Sequence, residues 1–224
     1  KPTRVSKSGL PSGQFHALAM SPTGVCSWGR IACQVERISC NHSSLDRRGS
    51  IVTGIGTVNP LGLDVESFWA AAREGVSGVG TITAFDTSDF KVHIAAETPD
   101  FDPEQWIPAK EARRLDRYDQ LFWASTAQAL ADAGISYEED DPAAQRAGVV
   151  VGSGIGGMIS FQDNIDVMRD RGPGRVSPLA ITQIISNMAA GLVSIEFNLF
   201  GPNTCVVTAC AASANAIGDA AEII

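Results

Sequence analysis

The fold of this chain is first indicated by the stretch Gly148-Val-Val-Val-Gly-Ser-Gly-Ile-Gly-Gly157. A run of valines bounded by glycines predicts a short strand that is buried on both faces. The glycines that follow predict a tight turn, and the more polar residues after them predict a helix. The stretch therefore predicts a unit of strand, turn and helix.

The same alternation of strand and helix extends over residues 50–224. We predict further strands beginning at Ile51 and spanning 91–97 and 205–208. The helices are predicted to run from Asp64, as N-cap, to Arg73, from Pro108 to Gly134, from Pro178 onward, and from Ala211 to the end of the chain. In the first helix the inward residues are predicted to be Phe68, Trp69 and Ala72. This order predicts an α/β sandwich with helices on both faces of the sheet.

The charge distribution divides the chain in two. The 224 residues carry a formal net charge of −8, but residues 1–48 carry about +5 and residues 49–224 about −13. An acidic body is a poor partner for a phosphate backbone, so nucleic acid is not an expected partner. The charge-poor stretches 176–195 and 197–218 contain too many polar residues for a membrane span and predict a core or a subunit contact.

Residues 1–49 are predicted to be a leader, separate from the domain at 50–224. They lack a hydrophobic period and are rich in Ser, Gly and Arg, which is typical of a disordered segment or of an organelle transit peptide. Five cysteines are too few for a disulfide scaffold and lack zinc-site spacing, so we expect a reducing compartment and no metal. The expected location is the cytoplasm, or a plastid or mitochondrion if the leader is a transit peptide.

The glycine-rich turn permits two interpretations. Gly152-Ser-Gly-Ile-Gly-Gly157 fits the G-x-G-x-x-G pattern of a dinucleotide-binding site after a strand. That site also needs a second strand ending in an acid about 20 residues later, and the corresponding region is a charged Gly/Pro loop. Glycines that allow two backbones to approach closely are the favoured interpretation, and a non-catalytic dinucleotide-binding module is the alternative.

A second candidate site lies in Asn203-Thr-Cys-Val-Val-Thr-Ala-Cys-Ala-Ala-Ser-Ala-Asn-Ala-Ile-Gly218. A short strand here delivers Cys210 to a turn of small residues, and an Ala-rich helix follows. The positive end of that helix favours a thiolate at Cys210, which is the form that acts as a nucleophile. The backbone N–H of Cys210 is one candidate oxyanion donor. Cys205, on the strand, is predicted to be a small buried hydrophobe.

Several short motifs, taken in order, resemble one enzyme family. They are Ile51-Val-Thr-Gly-Ile-Gly56, Asn59-Pro-Leu-Gly62, Gly152-Ser-Gly-Ile-Gly-Gly157, Val176-Ser-Pro178, Asn187-Met-Ala-Ala-Gly191, Gly201-Pro-Asn203 and Thr208-Ala-Cys-Ala-Ala-Ser213. As an ordered set they resemble the β-ketoacyl-[acyl-carrier-protein] synthases, most closely the type II synthases that elongate fatty acids. The resemblance covers about residues 50–224.

The resemblance implies a thiolase-like α/β/α/β/α sandwich, of which this chain corresponds to the first half. It implies that Cys210 accepts the acyl chain as a thioester and that Ile155 lines the acyl pocket. It implies an acyl carrier protein bearing acyl and malonyl groups as partner, a homodimer, and a decarboxylative condensation without cofactor. In the family two histidines and a lysine of the second half assist this reaction, so the chain alone is expected to be inactive.

Two positions depart from many relatives. Leu179-Ala180 stands where aromatic side chains are common, and Asn215 stands where several relatives have His. The first departure leaves the acyl-chain length open. A ketosynthase of polyketide assembly remains an alternative to the fatty-acid enzyme.

Overall fold

The computed structural model describes residues 16–20, 30–38 and 49–224. The strands are β1 His16–Met20, β2 Arg30–Ile38, β3 Gly49–Val58, β4 Val79–Thr81, β5 Ile94–Ala96, β6 Ala147–Gly152 and β7 Asn203–Val206. The α-helices are α1 Val65–Arg73, α2 Ala109–Ala112, α3 Arg117–Ala133, α4 Met158–Arg171, α5 Ala180–Ile184, α6 Met188–Glu196 and α7 Ala212–Ile223. The predicted strands and helices of residues 50–224 occur in the predicted order. β5 lies within the strand predicted at 91–97, β7 begins two residues before the strand predicted at 205–208, and β4 was not predicted.

The main sheet is mixed, with the strand order β3-β2-β1-β6-β7. β6 runs parallel to both β1 and β7, whereas β2 is antiparallel to β1 and β3. β4 and β5 form a separate antiparallel pair. The parallel part of the sheet holds the strand-turn-helix units that the sequence predicts.

The core is built around β6, which is buried along its whole length. Val149 and Val151 pack against α3 and α6, through residues such as Phe122 and Val193. Val150 points to the opposite face and packs against Ala216 of α7 with its neighbours on that helix. Helices therefore cover both faces of the sheet at β6, which confirms the predicted layering.

The helix predicted from Pro108 to Gly134 is wrong as a single element. It is two helices, α2 and α3, because Asp116 adopts an extended conformation and its carboxylate accepts a hydrogen bond from the backbone N–H of Tyr118. Gly134 ends α3 in the left-handed conformation, with φ of +66°, as predicted. The predicted helix after Pro178 is likewise divided, into α5 and α6, since Ile185 is extended.

Helix α1 begins and ends where the sequence predicts, but its packing differs. Asp64 is the N-cap and accepts a hydrogen bond from the Ser67 backbone N–H at 2.7 Å. Trp69, predicted to face inward, is 60% exposed, whereas Phe68 and Ala72 are half-buried. The prediction that Trp69 faces inward is therefore wrong, as judged from the part of the chain that the structure describes.

The predicted leader, residues 1–49, is only partly described. Its residues 16–20 and 30–38 form β1 and β2 of the main sheet, where the composition indicated no regular structure. The other residues before Gly49 lie outside the described ranges, and so does most of the leader prediction. None of the helices in the described part of the chain is long and apolar enough to cross a bilayer.

Candidate active site

Cys210 lies at the turn between β7 and α7. β7 ends at Val206, a single 3₁₀ turn spans Ala209–Ala211, and α7 begins at Ala212. The Cys210 side chain is exposed and its thiol is free. The 12-residue helix α7 starts two residues later, so its unpaired N–H groups and positive dipole end lie beside this thiol.

A close contact between backbones places this turn against the sheet. A Cβ atom added to Gly152, the last residue of β6, would collide with the carbonyl group of Ala212. Ala212 itself is fully buried, and so are Ala216 and Ala220 on the same face of α7. Small residues on both elements therefore let the first turn of α7 approach β6 closely. This contact fixes the position of the Cys210 backbone relative to the sheet.

The turn carries a strained residue directly before the cysteine. Ala209 has a φ of +49°, a conformation that residues with a Cβ rarely adopt. Thr208, before it, accepts a hydrogen bond from the Ala211 N–H on its carbonyl at 3.1 Å. The Thr208 hydroxyl accepts a second one from Nδ2 of Asn215 at 2.9 Å. Both bonds hold the segment from which the Cys210 side chain projects.

Ile155 reaches the same edge of the sheet from the neighbouring strand. Gly152, at the end of β6, pairs in register with Val206, at the end of β7, and the strands are parallel. Ile155 and Cys210 follow these two ends by three and four residues, so both lie at the carboxyl edge. The Ile155 side chain is 58% exposed. The structure brings the two predicted site residues to one edge, and the pocket-lining role of Ile155 stays a prediction.

The glycine-rich turn is not arranged as a dinucleotide site. The Gly156 N–H donates to the Ser153 hydroxyl at 3.0 Å, and the Gly157 N–H donates to the Ile184 carbonyl at 3.0 Å. In the first turn of α4 the Ser160 N–H donates to Oδ2 of Asp116 at 2.8 Å. Amides that would bind a pyrophosphate are thus occupied, and a carboxylate stands at the helix N-terminus where an anion would bind.

The same loop supports the other interpretation of its glycines. Cβ atoms at Gly156 and Gly157 would meet the carbonyl oxygens of Ile184 and Gln183, and Gly156 has a φ of +81°. The glycines are needed because the backbone before α6 passes against this loop. The prediction of close backbone approach is confirmed.

Comparison with known proteins identifies the family. The model of the β-ketoacyl synthase N-terminal domain matches residues 51–224. The chain belongs to the β-ketoacyl synthase family. It is 40% identical over 182 residues to 3-oxoacyl-[acyl-carrier-protein] synthase 2 of Synechocystis sp., covering 81% of this chain and 43% of that protein. It is 43% identical over 180 residues to the synthase of the same name from Coxiella burnetii, covering 80% and 43%.

Solved structures agree with the family. A β-ketoacyl synthase from Burkholderia phymatum STM815 aligns with a TM-score of 0.62 at 28% identity, over 77% of this chain and 42% of that one. The ishigamide ketosynthase/chain length factor aligns with a TM-score of 0.61 at 29% identity, over 70% and 39%. The fold of this ketoacyl synthase chain is therefore the thiolase-like one, in part. The chain spans about 43% of the length of the curated relatives named here.

The second described cysteine of the ketoacyl synthase chain differs from Cys210 in its position and burial. Cys205 lies on β7, is half-buried, and packs against the core between β6, α3 and α6. Its Sγ donates to the Ser186 carbonyl at 3.3 Å, and burial raises the pKa of the thiol. Cys205 is a packing residue, as predicted.

Two buried carboxylates at the start of α3 were not found from the sequence. Asp116 is buried and bridges α3 and α4, as described above. Asp119, one turn further along α3, is 1% exposed, and burial raises its pKa to about 8. The hydroxyl of the neighbouring Tyr118 donates a hydrogen bond to the Ile185 carbonyl at 2.7 Å. In the sequence, the only sign of these buried carboxylates is that two acids interrupt the apolar stripe of a predicted helix.

Among residues 50–224, whose side chains the structure describes, no cluster of metal-binding side chains occurs. The histidine described with its side chain, His93, lies next to β5, where its Nδ1 is 3.1 Å from the Thr87 hydroxyl. His93 precedes β5 in a loop of the small sheet, whereas the Cys210 turn follows β7 of the main sheet.

Proposed function

We propose that this chain supplies the acyl-accepting part of an elongating 3-oxoacyl-[acyl-carrier-protein] synthase. The observation that carries the proposal is the exposed, free thiol of Cys210 at the start of α7, on a strained turn in a member of this family. Strained backbone at an exposed nucleophile is typical of catalytic turns. The names of the curated relatives support the fatty-acid reaction.

The first step is acyl transfer. The Cys210 thiolate attacks the carbonyl carbon of an acyl thioester carried by the acyl carrier protein. The negative charge that forms on the carbonyl oxygen is stabilised by backbone N–H groups, with that of Cys210 as one candidate donor. The bond to the carrier sulfur then breaks, the carrier leaves as a thiol after taking up a proton, and the acyl group remains on Cys210.

The second step is condensation. The bond between the malonyl C2 and its carboxylate breaks and releases CO₂, and the electron pair attacks the acyl carbonyl on Cys210. The Cys210 thiolate leaves, and the product is a 3-oxoacyl thioester on the carrier. The family resemblance assigns the assisting histidines and lysine to the second half of the fold. We therefore propose that only a synthase with both halves completes this step.

Three further statements belong to this proposal. The partner is an acyl carrier protein, and a structural neighbour at 22% identity is a type II polyketide ketosynthase in complex with its acyl-carrier protein. The synthase is a homodimer, because apolar side chains such as Ile181, 67% exposed, and Ile195, 76% exposed, need a covering surface. The location is the cytoplasm, which fits the free thiols of the two cysteines that the structure describes. Light scattering of the full-length synthase tests the dimer, and a monomer at micromolar concentration contradicts it.

A ketosynthase of polyketide assembly is the second candidate. It is favoured by the structural similarity to the ishigamide ketosynthase/chain length factor, at 29% identity. The fatty-acid function ranks first because the curated synthases are 40–43% identical to this chain. Product analysis separates the two, since a fatty-acid enzyme condenses a saturated acyl primer with one malonyl unit and a polyketide enzyme repeats the condensation on 3-oxo chains.

The central experiment measures acylation directly. A full-length synthase carrying these residues is incubated with a radiolabelled acyl-carrier thioester, and protein-bound label is counted for the wild type, Cys210→Ala and Cys205→Ser. We expect label on the wild type and on Cys205→Ser, and none on Cys210→Ala. Undiminished labelling of Cys210→Ala, or an unlabelled wild type, overturns the proposed function.

A further inference from the structure

We propose that Asn215 is a positioning residue for the Cys210 nucleophile, acting through Thr208. The inference rests on the proposed function, in which Cys210 accepts the acyl chain. It is carried by the hydrogen bond from Asn215 Nδ2 to the Thr208 hydroxyl, 2.9 Å long, which spans the turn that presents the thiol.

Asn215 is suited to this task by its place on α7. Its neighbour Ala216 is fully buried against Val150 of the sheet, and Ala212 is fully buried one turn earlier. Packing on both sides therefore fixes the backbone of Asn215 relative to the sheet. The Asn215 side chain lies on the exposed side of the helix. Its amide therefore holds Thr208, the residue that begins the turn, at a fixed position relative to the sheet.

Thr208 needs such a tether because the next residue is strained. Ala209 adopts φ of +49°, and a non-glycine residue in the left-handed region is strained because its Cβ crowds the following carbonyl oxygen. Surrounding contacts must hold such a conformation, since a free turn relaxes to negative φ. Thr208 is held at its carbonyl by the Ala211 N–H, at 3.1 Å, and at its hydroxyl by Asn215.

Relaxation at Ala209 would move the Cys210 thiol, because a change in φ at one residue rotates the chain that follows it. Misplacement of a reacting atom by about 1 Å can lower a rate by about a hundredfold. The Asn215–Thr208 bond is exposed, so its loss has little effect on the stability of the fold. The consequence is a change in the rate of acyl transfer without a matching change in unfolding.

The test compares single and double variants of a full-length synthase. The variants are Asn215→Ala, Thr208→Val, their combination, and Thr208→Ser, which keeps the hydroxyl. The single-turnover rate of Cys210 acylation at increasing octanoyl-pantetheine concentration gives a maximal rate constant and a half-saturating concentration, and thermal unfolding gives Tm. Asp219→Ala is the matched control, since it removes an exposed side chain on the same face of α7 one turn further from Cys210.

We expect Asn215→Ala and Thr208→Val each to lower the maximal acylation rate constant about tenfold, with the half-saturating concentration within about twofold and Tm within about 2 °C of the wild type. The double variant should also lose about tenfold rather than a hundredfold, because both changes remove the same bond. Thr208→Ser and Asp219→Ala should keep the wild-type rate.

The inference is overturned if Asn215→Ala acylates at the wild-type rate, if the two single effects multiply, or if Thr208→Ser loses as much as Thr208→Val. An equal loss in Asp219→Ala also overturns it, since the effect would then belong to α7 in general. Failure of the proposed function is distinct: in that event the wild type itself forms no acyl-Cys210.

Discussion

The carboxylate of Asp116 accepts a hydrogen bond from the backbone N–H of Ser160 at 2.8 Å, across 44 residues of sequence. Its other oxygen accepts from the Tyr118 N–H at 3.1 Å. One buried side chain thus caps the N-termini of α3 and α4 together. Because α4 follows the glycine-rich loop that carries Ile155, this contact joins the proposed substrate edge of the sheet to the core helix α3.

We expect Asp116→Asn to destabilise the protein by about 1–3 kcal/mol. An amide has a single acceptor oxygen, so either Tyr118 or Ser160 keeps a buried N–H that faces an NH₂ group. Urea unfolding of the full-length synthase measures the loss. Asp170→Asn, an exposed acid near the end of α4, is the control and should change stability by less than about 0.5 kcal/mol. Equal stability of the two variants would contradict the double cap.

The buried carboxyl group of Asp119 should make the free energy of unfolding depend on pH. Its pKa is raised from 3.8 to about 8 by burial, so between these values the folded state holds a proton that the unfolded state has lost. The contribution of Asp119 to stability is therefore complete below about pH 4, declines as pH rises, and is lost above about pH 8. The slope is at most about 1.4 kcal/mol per pH unit.

The Asp119→Asn variant should remove this decline, since an amide is neutral throughout the range. Free energies of unfolding measured at intervals between about pH 3 and about pH 9 should differ least at the acid end and favour the variant at the alkaline end. Parallel curves for the wild type and the variant would show that Asp119 does not titrate in this window.

The two described cysteines should differ in reactivity. Cys210 is exposed at the start of α7, whereas Cys205 is half-buried, donates to Ser186, and has a raised pKa. With limiting iodoacetamide we expect alkylation of Cys210 first, with loss of acyl transfer in proportion. Peptide mass spectrometry with a parallel activity assay checks this. Activity lost while only Cys205 is modified would refute the assignment of the nucleophile.

Gly156→Ala should destabilise the loop by about 2 kcal/mol or more. The new methyl group would meet the Ile184 carbonyl, and the φ of +81° is unfavourable for alanine. Gly174→Ala is the matched control, because nothing lies within 4 Å of its added Cβ and its φ is not positive. Thermal unfolding of both variants provides the comparison. A Gly156→Ala protein as stable as Gly174→Ala would contradict the close approach of the two backbones.

The sequence by itself determined the features that depend on neighbouring residues. The Asp64 cap of α1, the left-handed Gly134 after α3, the valine strand β6 and the turn that carries Cys210 each follow from side chains within a few positions. The family follows from the order of several such motifs. These signals come from neighbouring residues, so they predict the features without knowledge of the tertiary structure.

Tertiary structure alone decided where distant residues meet. The long helix predicted from Pro108 is divided at Asp116, whose carboxylate caps α3 and also accepts a hydrogen bond from Ser160 of α4, a partner that helical periodicity does not reveal. Trp69 has helical spacing for burial but is exposed, since spacing identifies a face and not what covers it. The Asn215–Thr208 bond arises likewise, because it depends on how the turn before α7 folds back onto the helix. Such contacts depend on the directions in which the side chains point. The packing of α3, α4 and α7 against the sheet sets these directions, so the neighbouring residues in the sequence do not predict the contacts.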